Sequence, residues 1–110
     1  MGDFFKRQNN LYIALEYYFR SYDICEKGNN VKGLGISMNN IANIHYLLGD
    51  YDKSLDYHQK AVEVIDGTGS LKELGISYKG LGLVNSAKGD YQQSLSYLGT
   101  LSSIQQFTSG

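Results

Sequence analysis

Two stretches of this chain copy one pattern forty residues apart. Gly49-Asp50-Tyr51, followed by Ser54-Leu55 and Tyr57, returns as Gly89-Asp90-Tyr91, Ser94-Leu95 and Tyr97. At the same offset, Lys32-Gly33-Leu34-Gly35-Ile36-Ser37 returns as Lys72-Glu73-Leu74-Gly75-Ile76-Ser77. When 11–50 is set against 51–90, nine of the forty pairs are identical, and pairs such as Ile24/Val64, Ile41/Leu81 and Ala42/Gly82 keep their chemistry. A fixed period of this size means that one structural unit is copied. Units that cannot bury their apolar faces alone must stack, so the repeat predicts a solenoid, an architecture used mostly for binding.

The apolar spacing inside each unit is helical. One stretch has Met38, Ile41, Ile44 and Leu48, and the next has Tyr51, Leu55, His58, Val62 and Ile65. Between them Gly49 supplies a left-handed stop and Asp50 a cap for the following helix. Breaks at Gly28-Asn29-Asn30 and Gly67-Thr68-Gly69-Ser70 separate the units. The pattern predicts helices over 11–27, 31–48, 51–66, 71–88 and 91–106, with Gly2 to Gln8 forming the last turns of a helix whose beginning is missing. The domain reading is one array over 1–110, with a partial unit over 1–27 and full units over about 31–66 and 71–106.

Composition removes several function classes. A net charge of −1, from ten basic and eleven acidic residues, gives no excess for a phosphate backbone, so nucleic acid is not an expected partner. No apolar run approaches the ~20 residues that span a bilayer, so a membrane is not expected either. The start, Met1-Gly2-Asp3-Phe4-Phe5-Lys6, has no apolar stretch of a signal peptide, and Lys6 breaks a myristoylation motif. A single cysteine, Cys25, excludes an internal disulfide and fits a reduced, cytoplasmic setting.

The residues at the turn and along the helices resemble the tetratricopeptide repeat, whose unit is an antiparallel pair of helices, A and B. Helix A is represented by Met38, Ile41-Ala42 and by Tyr78, Leu81-Gly82. The turn is represented by Gly49-Asp50-Tyr51 and Gly89-Asp90-Tyr91, and helix B by Ser54, Tyr57, Ala61, preceded by Ala14, Tyr17, Ser21. The usual unit is about 34 residues; forty-residue units resemble those of kinesin light chain, Pins-type polarity proteins and bacterial signalling proteins. HEAT and armadillo repeats share the period but lack the Gly-Asp-Tyr turn. The resemblance implies an all-α fold, an α-α superhelix of helical hairpins. Small residues at Ala14, Ala42, Ser54, Gly82 and Ser94 are expected where A and B cross, because a larger side chain would wedge them apart. Both ends look cut, since Gly2-Asp3-Phe4-Phe5 matches the second half of a helix A and the pattern is lost after Leu98.

Catalytic chemistry finds no support in the residues. His45 and His58 fall where the family carries aromatics inside the A/B packing, and Cys25 aligns with Ile65 as a small buried hydrophobe. Gly33-Leu34-Gly35 follows no strand and is not a phosphate loop. Gly80 and Gly82 each cost about 1 kcal/mol in a helix relative to Ala; Gly82 has a packing reason, whereas Gly80 suits a close approach by a neighbour. Tyr17, Tyr57 and Tyr97 repeat at core spacing and read as packing residues.

The resemblance places a binding stripe on the inner face of the A helices. Carried over, it holds Asn39, Asn40, Asn43, Tyr46 and Leu47, then Lys79, Leu83 and Ser86, with Lys6 and Arg7 from the first segment. An Asn carboxamide both donates and accepts, so it can pair with the backbone of an extended peptide. Lys79 and Lys6 suit an acidic group. The family's carboxylate clamp is incomplete, since Asn39 stands where a Lys belongs and Gly80 and Ile76 fill other clamp positions. The expected function is a protein-interaction module that holds a partner's peptide or helix in the concave groove, with no catalytic residues, metal or cofactor of its own. The alternative is a self-associating piece, or scaffold, of a larger signalling protein whose enzymatic domain lies elsewhere, with homo-oligomers formed through the truncated ends.

Overall fold

The computed structural model describes residues 2–109, with side chains over 6–106. It contains five α-helices: α1 (Gly2–Lys27), α2 (Val31–Leu47), α3 (Tyr51–Ile65), α4 (Leu71–Lys88) and α5 (Tyr91–Ser109). No strand occurs among the described residues. α2 packs on α3 and α4 on α5 as two hairpins. α4 also lies against α3 and touches α2, while α1 packs on α2. The result is an all-α stack of helical hairpins with extents of 46 × 38 × 22 Å.

The hairpin turns follow from two glycines. Gly49 has φ 82° and Gly89 has φ 89°, a region where a side chain is strained. At each turn a backbone pair closes the helix end: Asp50 N–H to His45 O (2.8 Å) with Gly49 N–H to Tyr46 O (3.0 Å), then Asp90 N–H to Asn85 O (2.8 Å) with Gly89 N–H to Ser86 O (3.0 Å). This is the Schellman pattern, which satisfies carbonyls left free at a helix C-terminus. Asn29, at φ 55°, makes the same closure after α1, with Asn30 N–H to Cys25 O at 2.8 Å. Capping differs between the two copies. Asp90 Oδ1 accepts from Gln93 N–H at 3.2 Å. The Asp50 carboxylate makes no cap hydrogen bond and lies 3.6 Å from Lys53 Nζ, so the expected Asp50 cap is corrected.

The larger correction is α1. The sequence pattern separates Gly2–Gln8 from a helix over 11–27, yet α1 runs unbroken through Asn9 and Asn10. Asn9-Asn10 stands at the offset of Gly49-Asp50 and lacks the glycine. Without a left-handed stop, hydrogen bonding simply propagates. At the other end, Gly99 does not break α5, which extends beyond the expected 106.

The core lies between α2, α3 and α4. Met38, Ala61 and Ile65 form its centre, with Tyr22, Leu34, Tyr57, Val64 and Leu74 packed around them. Small residues stand at the helix crossings, as the sequence predicts. Ala42 and Ser54 are fully buried. Leu98 of α5 fills the space a side chain at Gly82 would need, and Ser94 Oγ donates to Gly82 O at 2.8 Å. Ala14 is half-buried, and so is Cys25, which lies against Gly33 instead of being enclosed.

Candidate interaction surface

The A helices present their surface as a consequence of what covers them. At about 100° per residue, α2 turns Gly35, Met38 and His45 toward α3. There Gly35 meets Ile65, Met38 joins the central cluster, and His45 stacks on Tyr57 with ring centroids 5.7 Å apart. Ser37, Ile41 and Ile44 are buried too. What stays open is a stripe containing Asn40, Asn43 and Leu47, with Asn43 exposed and Leu47 61% exposed. On α4 the equivalent open arc carries Ile76 (40%) and Leu83 (49%), with exposed Lys79 beside them.

The residues expected to form one stripe therefore divide. Asn40, Asn43, Leu47, Lys79 and Leu83 are accessible to differing degrees. Tyr46 is half-buried, its ring centroid 5.7 Å from that of Tyr51, so it braces the turn. Ser86 is half-buried and gives its carbonyl to Gly89. Leu47 shares a cleft of about 290 Å³ with Leu48 and with Arg7, Gln8 and Leu11 of α1, so Arg7 does reach the inner surface. Lys79 lies instead in a separate cleft between α4 and α5, with Leu71, Lys72, Ile76, Leu101 and Ile104. Lys6 is exposed.

Asn39 does not belong to the open stripe. It is 2% exposed, and its Oδ1 accepts from the Ser77 hydroxyl of α4 at 2.9 Å. The same oxygen lies 2.9 Å from His58 Nδ1 of α3, which donates to it in the Nδ1–H tautomer. Asn39 is thus a polar node that ties three helices together. The reason is the helix stacking itself, since α4 lies over the edge of α2 on which position 39 sits.

Both histidines sit inside the packing. His58 is fully buried, its Nε2 finds no partner among the described residues, and the ring occupies the space a Cβ on Gly80 would need. Burial pushes its pKa down to about 4, so the ring is neutral near pH 7. Burial also lowers the pKa of His45, with Asp50 opposing and Lys53 adding to that shift. Among the described residues no group of three His, Cys, Asp or Glu is arranged to hold a metal ion. No described helix is long and apolar enough to cross a membrane.

One cleft was not anticipated from the sequence. Asp52, Asp56 and Gln59 of α3 face Gln93 and Tyr97 of α5 across about 430 Å³. Its signal is the i, i+4, i+7 spacing on α3, which reads equally well as a solvated helix face. Lys88 of α4 partly neutralises it, with Nζ 2.6 Å from Asp52 Oδ1.

A family model described as tetratricopeptide repeat matches residues 1–66 and 33–106. No curated protein matches the chain.

Proposed function

The chain belongs to the tetratricopeptide-repeat family, whose members are protein–protein interaction modules, and from that premise we propose that it holds a peptide or helix of a partner along the inner face of α2 and α4. The observation that carries this reading is the mixture of surfaces there. Leu47 and Leu83 stand 61% and 49% exposed, beside the amide side chains of Asn40 and Asn43. Large apolar groups left in water gain by being covered, at roughly 25 cal/mol per Å². The amides supply donors and acceptors for a partner's backbone without requiring a particular sequence. Charge favours an acidic partner, because α2 and α4 carry Lys32, Lys72, Lys79 and Lys88 against the single carboxylate Glu73. The proposal assigns the chain no reaction of its own and a cytoplasmic setting.

A photocrosslinking residue in place of Asn43 tests the reading against the same residue in place of Gln59 on α3. Capture of one defined partner segment from position 43 and not from position 59 is expected. The double variant Asn43→Ala with Leu83→Ser should weaken that partner's binding at unchanged helicity. Equal capture from both positions would overturn the assignment.

Association of copies is the second reading, and α1 favours it. Ile13, Tyr17 and Ile24 are 45%, 65% and 72% exposed, and at a spacing of i, i+4 and i+11 they lie along one side of the helix. Light scattering over a concentration series separates the two readings, because only the second requires mass to rise with concentration.

A further inference from the structure

The cleft between α4 and α5 is the place that α4 itself fills one repeat earlier. Leu71, Lys72, Gly75, Ile76 and Lys79 stand forty residues after Val31, Lys32, Gly35, Ile36 and Asn39. Leu101 and Ile104 likewise follow Ala61 and Val64. In the earlier copy this surface is covered, and Gly35, Asn39 and Ala61 are all buried. α4 covers it through three kinds of contact: Leu74 against Met38, Ala61 and Ile65, the Ser77 hydroxyl on Asn39 Oδ1, and the backbone of Gly80 against the His58 ring.

In the later copy the same surface is open. The cleft measures about 370 Å³, and Leu71 and Ile76 on its wall are each 40% exposed. The apolar character persists through Leu101 and Ile104. One change of chemistry matters, because Lys79 replaces Asn39. A helix seated in the register of α4 would bring its counterpart of Ser77 to position 79. A hydroxyl satisfies an amide oxygen, whereas an ammonium group with three donors calls for a carboxylate. α5 has no acidic residue and α4 only Glu73, so the walls do not supply one from the repeat itself.

The geometry points to a second interaction surface: the α4–α5 cleft takes an amphipathic helix of a partner protein that carries an apolar residue and, three positions later, an acidic one. The apolar side chain takes the place that Leu74 takes on Met38, Ala61 and Ile65. The carboxylate reaches Lys79, with Lys72 on the same wall adding to the positive field. This surface is separate from the Asn43–Leu47 stripe, and each can fail without the other.

The test uses a synthetic helix with the sequence of residues 71–88 carrying Ser77→Glu, and a control that keeps Ser77. Each is titrated into the intact, isotopically labelled chain while backbone amides are followed by NMR. Amide shifts at Gly75, Leu101 and Ile104 are expected, with the Glu probe binding about fivefold more tightly, as for one partly exposed charge pair. Lys79→Met in the chain should remove that advantage and leave its circular dichroism unchanged. Absence of binding by both probes, or equal binding by the two, overturns the proposal. So do shifts at Asn43 and Leu47, or at Asn39 and His58, where the probe would displace α4. If the chain alone shifts the cleft amides as its concentration rises, a second copy occupies the cleft and the partner helix is ruled out.

Discussion

His58 is 1% exposed, and what faces it is neutral: Asn39 from α2, with Ser77 and Gly80 from α4. Its folded pKa of about 4 lies below the ordinary 6.5, so folding disfavours the proton. Above pH 6.5 both folded and unfolded chains hold a neutral ring and the site adds no pH dependence. Between 6.5 and about 4 the unfolded chain takes up the proton first, so stability falls as the medium is acidified. The full loss is about 3 kcal/mol at 1.36 kcal/mol per pH unit, and His45, whose pKa is also lowered, adds in the same direction. Urea unfolding at pH 7 and pH 4.5 should show the loss, and His58→Gln should remove most of it. The ring also explains Gly80. A methyl group there meets the imidazole, so Gly80→Ala should cost about 2 kcal/mol despite its better helix propensity. In a cycle with His58→Ala, the double variant should lose less than the sum of the singles, because each change relieves the other's clash or cavity. The sequence does place both histidines inside the packing. It leaves the neighbour of Gly80 unnamed and puts Asn39 on the open face. Spacing within one helix reveals which side chains share a face, but not that the next hairpin lies over it. Ser77, thirty-eight residues away, decides that.

The elements were legible wherever a backbone device marks their ends. Gly49 and Gly89 hold left-handed φ values that glycine alone adopts freely, and both close a helix as the pattern predicts. Gly49→Ala and Gly89→Ala should each cost about 1 kcal/mol in chemical denaturation. Asn29→Gly should cost nothing, because Asn29 already occupies that region with a side chain. A loss on Asn29→Gly as large as that on Gly49→Ala would contradict this account of the turns. The first boundary was not legible for the converse reason. Asn9-Asn10 has amide side chains that tolerate a turn but do not impose one, so α1 continues through them. The acidic cleft lined by Asp52, Asp56 and Gln59 was missed because carboxylates near a helix start serve the helix dipole equally well.

Across the whole molecule, contacts run between neighbouring hairpins, as nearest-neighbour stacking requires. Burial is concentrated accordingly. The central cluster joins α2 and α3, and α4 adds fully buried Ser77, Leu81 and Val84. Among residues 6–27 of α1, none reaches the buried class, and Tyr12, Ile13, Tyr17 and Ile24 are exposed. A helix of this length gains little from propensity alone in water and depends on packing for its stability. Local opening of α1 should therefore require much less free energy than global unfolding, while α2 to α4 open only with the whole. Hydrogen exchange measures this directly. Amides of Ile41, Ala61 and Leu81 should be protected to the global limit, and those of Tyr12 to Tyr17 should exchange at least a hundredfold faster, a difference of about 3 kcal/mol. A partner or second copy that covers the α1 face should raise the α1 protection selectively. Equal protection in α1 and α3 without any partner would mean that the chain unfolds as one cooperative block, and that burial in this stack does not set the order in which its helices open.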